Sequence, residues 1–194
     1  MAARGPLIEA AHARKGERVF QNVQDPERGS SGSSTPWPAL VGFVGLTLLV
    51  GAVDAALTAP AVRTWYLALD RPFGTPPNWL FGPVWTVLYA LIAVAAWLVW
   101  QLPGHRRAML LWGWQLLANA LWSPIFFGLH LIAPAMLEVL GLVLLAALTL
   151  LAFLRLSRPA GLLMLPYLLW TCYAAYLNAG FWWLNPAQAW GWGR

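Results

Sequence analysis

What most constrains this chain is a series of five apolar runs, each close to the roughly 20 residues that an α-helix needs to cross a bilayer. They run from Pro38 to about Thr58, from Pro83 to about Gln101, from about Arg106 to Phe127, from about Ala133 to Leu154, and from about Gly161 to Leu184. A helix satisfies its own backbone hydrogen bonds in lipid, which an open strand cannot do. No alternation of apolar and polar residues marks a strand. The expected fold is therefore an all-α membrane protein, a bundle of five transmembrane helices. Only 10% of the residues are charged, against about a quarter in a soluble domain. Leu102-Pro103-Gly104, Gly128 and Asn185-Pro186 punctuate the runs. The last three connections are short, so those neighbours pack antiparallel.

The chain divides into a polar stretch, 1–36, and a helical domain, 37–194. The polar stretch mixes Arg4, Arg14, Lys15, Arg18 and Arg28 with Glu9, Glu17, Asp25 and Glu27. It lacks the apolar core of a signal peptide. Gly29-Ser30-Ser31-Gly32-Ser33-Ser34 has the composition of a flexible linker, so disorder is expected there. Its basic residues fall on one side of the bundle with Arg106, Arg107, Arg155 and Arg158, against Arg63, Arg71 and Arg194 on the other. That asymmetry predicts a cytoplasmic N-terminus and an outward-facing first loop. The net charge of +5 thus reports topology, and with no basic cluster interleaved with aromatics a nucleic-acid partner is not expected. Cys172, the single cysteine, lies in an apolar run and reads as a buried small hydrophobe.

The connection from Ala59 to Gly82 is the long one. Pro72, Pro76 and Pro77 fix φ and remove donors, which excludes a helix from Trp65 to about Gly82. It also carries Trp65, Tyr66, Phe73, Trp79 and Phe81. A proline-stiffened aromatic loop that feeds directly into a helix suits a lid. Pro83 has the character of a first-turn proline, placing the helix start there.

Fourteen tryptophans serve either as an interfacial belt or as the flat walls of a pocket. Their spacing marks some for the second role. Gln115, Asn119, Trp122 and Phe126 share one helical face, as do Tyr167, Trp170, Ala174, Asn178, Trp182 and Asn185, and Trp85 and Tyr89 on the second run. The amides can also act as interhelical glue. A gap left by small Ala174 beside indoles and amides suits a large planar apolar molecule with polar edges. Asp54 and Glu138 lie inside runs, as functional groups or as interfacial caps and arginine partners. His12, His105 and His130 all lie outside mid-membrane positions, so no axial haem ligand, metal site or required cofactor is expected. No Ser-His-Asp arrangement, phosphate-binding loop or carboxylate pair is present, and no catalytic residue is assigned.

Taken in order, these residues resemble the TspO/translocator protein family of tryptophan-rich sensory proteins, or peripheral benzodiazepine receptors. Trp65-Tyr66, Arg71-Pro72, Pro76-Pro77, Trp79 and Phe81-Gly82-Pro83-Val84-Trp85-Thr86 with Leu88-Tyr89 match its first signature. Asn119, Trp122-Ser123 and Phe126-Phe127 match the third-helix signature; Pro166-Tyr167, Trp170, Ala174, Leu177-Asn178 and Asn185 match the fifth. The resemblance spans about 38–185. It implies a five-helix membrane receptor or sensor, usually a homodimer, that binds protoporphyrin IX or related tetrapyrroles. It further implies lipids or sterols and isoquinoline or benzodiazepine compounds as ligands, and a link to tetrapyrrole regulation and stress. Light-dependent porphyrin breakdown and ligand transport are the alternative activities. Trp65 and Tyr66 match lid positions, and Trp85, Asn119, Trp122, Trp170 and Ala174 match pocket positions, with Tyr89 beside them. The family's usual Lys-Pro is Arg71-Pro72 here, and Gly74 stands where a second aromatic is common. The sterol motif of the fifth helix needs a basic residue after tyrosine, which Tyr173 and Tyr176 lack.

Overall fold

The structure, a computed structural model, describes residues 37–191. The expected disorder of 1–36, the basic residues counted there and Arg194 lie outside the described residues. Among the described residues there are five long helices: α1 (Trp37–Val62), α2 (Asn78–Trp100), α3 (Arg106–Ser123), α4 (Ile132–Leu156) and α5 (Arg158–Leu184). Among the described residues there is no strand. α1, α2, α4 and α5 are each long and apolar enough to cross a membrane, which makes this an integral, multi-pass membrane protein. α3 does not belong to that set. Its 18 residues include Arg106, Arg107, Gln115 and Asn119.

The helix ends follow local chemistry. α2 opens at Asn78, not at Pro83 as the sequence predicts. Pro77 is extended (φ −63°, ψ 143°), and its carbonyl accepts from Leu80 N at 2.9 Å, starting the first turn. Pro83 therefore lies inside the helix, where its missing N–H removes one rung of the backbone ladder. α3 runs into a π-turn at Pro124–Gly128, in which Leu129 N donates to Pro124 O at 2.9 Å. At the start of α5, Ser157 Oγ accepts from Ala160 N, and a proline occupies the first turn. The loop expected to be wholly irregular contains one short 3₁₀ turn, Trp65–Ala68.

α4 packs along α5 and α3, α1 packs along α2, and α2 closes the bundle against α5. Ile92, Ala95, Ala96 and Val99 of α2 meet Phe153 of α4 and Met164 and Tyr167 of α5 in one core. At the loop end a second cluster joins Tyr66 and Leu69 to Phe126, Ile132, Leu177 and Phe181. Two expected placements fail. Cys172 is exposed on α5. Trp182 is 44% exposed although it was read into the buried stripe.

Candidate functional site

The loop between α1 and α2 is clasped to the C-terminal half of α5. Asn185 Oδ1 accepts from Asp70 N at 2.9 Å, and Asn185 Nδ2 donates to Asp70 O at 2.9 Å. The Tyr173 hydroxyl donates to Gly74 O at 2.5 Å and that of Tyr176 to Phe73 O at 3.0 Å. Pro72 is buried against Gly180, where an added Cβ would overlap the proline ring. Gly74, at φ 83°, occupies the left-handed region that an aromatic residue would strain. The departure from the family pattern at this position is thus a requirement of the turn.

Within the loop, Tyr66 points inward and is only 3% exposed. Its ring lies 5.5 Å from Phe127 and 5.3 Å from Phe181, and the Arg71 guanidinium sits 5.3 Å from its centroid. Burial pushes the phenol up to about 12, against the lowering pull of Arg71 and with a small further rise from Tyr173. Tyr66 therefore keeps its proton at neutral pH and remains a donor.

Beneath the loop lies a cavity of about 510 Å³, within the size range of small-molecule sites. The structure brings seven of the eight expected residues to its wall: Tyr66 from the loop, Trp85 and Tyr89 from α2, Asn119 and Trp122 from α3, and Trp170 and Ala174 from α5. Trp65 does not reach the wall. It stacks on His130 at 4.4 Å and meets the edge of Phe126 at 5.6 Å. The expectation of a site built by the second, third and fifth helices is too narrow. α1 contributes Asp54, the residue that follows α1 contributes Arg63, and α4 contributes Val139 and Leu142.

The polar groups of the wall form a chain. The Tyr89 hydroxyl lies 2.5 Å from Asn119 Oδ1 and 3.2 Å from Asp54 Oδ2, while Asn119 Nδ2 donates to the Tyr167 hydroxyl at 3.0 Å. Beside it, Trp122 Nε1 donates to Asn178 Oδ1 at 3.3 Å, and Asn178 Nδ2 donates to Ile132 O at 2.9 Å. Asn178 is thus interhelical glue and wall at once. The rest of the surface mixes aliphatic and aromatic side chains, with Trp85 5.5 Å from Tyr89, and Trp170 between Phe81 at 6.3 Å and Tyr173 at 5.6 Å. Such a surface can stack a flat molecule and give it a few directional hydrogen bonds.

Gln115, which shares a helical face with Asn119, does not reach the wall; it is fully buried and its amide has no partner among the described residues. Glu138 Oε2 is likewise buried and unpaired among them. Asp54 joins the wall, and its depth within an apolar run is the signal that marks it. No local pattern marks Arg63 as a wall residue or Asn185 as a clasp.

A family model described as TspO/MBR family matches residues 43–184. The tryptophan-rich protein TspO of Archaeoglobus fulgidus is 38% identical over 148 residues, 75% of this chain and 96% of the relative. The tryptophan-rich sensory protein of Cereibacter sphaeroides is 39% identical over 135 residues, 69% of this chain and 85% of the relative. The translocator protein of Homo sapiens is 33% identical over 164 residues, with coverages of 82% and 96%.

Proposed function

Because this chain belongs to the TspO/MBR family, we propose that it is a five-span membrane receptor or sensor for porphyrin-like tetrapyrroles, held under the clasped loop. The observation that carries this reading is the cavity itself, where Trp85, Trp122 and Trp170 surround Asn119 and a buried lid tyrosine. Indole faces supply stacking affinity to a planar ligand, and the amide and phenol groups orient it. Lipids and isoquinoline- or benzodiazepine-type compounds share the needed flatness or apolarity and are further candidate ligands. The fifth span is α3. Its amides are buried within the bundle, and its packing along α4 supports a membrane-crossing position despite its polarity. Five spans with Arg106, Arg107, Arg155 and Arg158 on one side support a cytoplasmic N-terminus. A homodimer is part of the proposal on family grounds.

Titration of the detergent-purified protein with protoporphyrin IX in the dark, read by tryptophan fluorescence, tests the proposal. Saturable quenching that weakens at least about tenfold in a folded Trp170→Ala variant is expected from the loss of a stacking ring. Equal affinity in the variant would sink the pocket assignment. Three indoles on the wall also favour a second reading, light- and oxygen-dependent porphyrin breakdown. It requires a product that forms only under illumination and is lost when the wall tryptophans become phenylalanine.

A further inference from the structure

Among the described residues, the cavity wall carries two charged side chains, Asp54 in α1 and Arg63 just beyond its end. Arg63 follows the last turn of α1 at the loop, and its side chain is exposed. Asp54 lies nine residues earlier, roughly 14 Å deeper at the rise of a helix. It is 9% exposed. The wall is therefore polarised, positive at the rim and negative at depth.

Asp54 is short of donors. A carboxylate offers about four acceptor positions, and here the Tyr89 hydroxyl is the one neighbour within hydrogen-bond distance that the structure records. That hydroxyl has a single proton and stands between two acceptors. Asn119 Oδ1, at 2.5 Å, is closer than Asp54 Oδ2, at 3.2 Å. Asn119 Nδ2 is already engaged with Tyr167, so the amide keeps its oxygen toward Tyr89. When Tyr89 serves Asn119, Asp54 is left on the cavity wall with no donor that the structure records. A buried carboxylate in that position is costly unless something supplies one.

We infer that Asp54 is a recognition group of the cavity, and that the site selects flat apolar ligands bearing a protonated nitrogen or N–H donor on the edge that enters deepest. Arg63 directs any anionic group of the same ligand toward the rim. The inference rests on the cavity being the ligand site, and it names the chemistry that this site prefers.

The test compares two dyes with one ring system, 9-aminoacridine, which is cationic at neutral pH, and acridine, which is largely neutral there. Each is titrated into protein in an uncharged detergent, with quenching of the wall tryptophans as readout. The wild-type protein is expected to bind 9-aminoacridine about tenfold more tightly or better, the scale of a charge-assisted hydrogen bond. In Asp54→Asn, which keeps the shape of the side chain, the ratio of the two dissociation constants should fall to near one. Asp54→Ser gives the same comparison if the asparagine variant does not fold. Equal binding of the two dyes by the wild-type protein, or a ratio unchanged in the variants, overturns the role of Asp54 and leaves the cavity standing. Saturable binding of neither dye removes the cavity reading and this inference with it.

Discussion

The hydrogen bonds that hold the loop over the cavity reach its main chain, whereas the chain of polar groups beneath it is held side chain to side chain. Asn185, Tyr173 and Tyr176 of the α5 region reach the carbonyls of Asp70, Gly74 and Phe73, and every peptide unit has a carbonyl. Asp54, Tyr89, Asn119 and Tyr167 instead contact one another through specific side-chain atoms. The difference implies that the exposed lid residues tolerate change as long as the α5 clasp is intact, whereas Tyr66, Pro72 and Gly74 are held by packing and by the turn. The floor tolerates little, because each member is both partner and partnered. Arg71, in place of the family's usual lysine, fits the first half of that statement: it lies over Tyr66 and takes no part in the clasp.

The largest expected effect is at the floor. Asn119→Leu removes the amide between two tyrosine hydroxyls, one of which, on Tyr167, is fully buried. Leaving a buried hydroxyl unpaired costs about 1–3 kcal/mol in water-soluble proteins and nearer 1 kcal/mol in membranes; Tyr167 loses its recorded partner, while Tyr89 is left with Asp54 alone. A global loss of about 2 kcal/mol is expected, read as a lower thermal midpoint in detergent with the loop no more mobile than before. A midpoint within one degree of wild type would show that the floor is not a structural network.

The clasp comes next. Asn185→Ala deletes both bonds to Asp70 and the bond to Phe181 O. Its cost of about 1–2 kcal/mol should appear locally, because the loop can open without unfolding the bundle. Hydrogen–deuterium exchange should rise across the loop, including the amide of Asp70, while the core of α2 and α5 keeps its protection. Faster exchange in α5 as well as in the loop would mean that lid and bundle are one cooperative unit.

This contrast also explains which parts were legible in the sequence. The five long helices were readable because hydropathy runs report length directly, and the wall residues because i, i+3 and i+4 spacing reports a shared face. The lipid-facing and core-facing sides of such runs are both apolar, so nothing in composition could tell that Cys172 faces outward. Trp182 illustrates the drift of a stripe: two successive steps of four residues from Ala174 turn the side chain by about 80°, onto the exposed face. Trp65 looked like Tyr66 because neighbours in a loop share composition, yet only Tyr66 reaches the cavity wall. The clasp was illegible, because Asn185 and Asp70 lie 115 residues apart, and no local pattern encodes such a contact. Pro83 misled because a proline can mark either a first turn or a tolerated gap, and only the geometry at Pro77 decides between them.

The smallest effect is also the most discriminating for the lid. Phe73 is 93% exposed at the tip of the loop, the very place where an aromatic residue would be credited with closing the site. Its side chain does not appear on the cavity wall, whereas its carbonyl accepts from Tyr176. Phe73→Ala keeps that carbonyl and φ range, so stability should change by less than about 0.5 kcal/mol. Loop exchange and protoporphyrin quenching should stay at wild-type values. Tyr176→Phe keeps the ring and removes the donor, and it should speed exchange in the loop although the loop's own sequence is untouched. The reversed pattern, a mobile lid in Phe73→Ala and a quiet one in Tyr176→Phe, would mean that the lid closes through its own side chains, and the distinction between lid and floor would collapse.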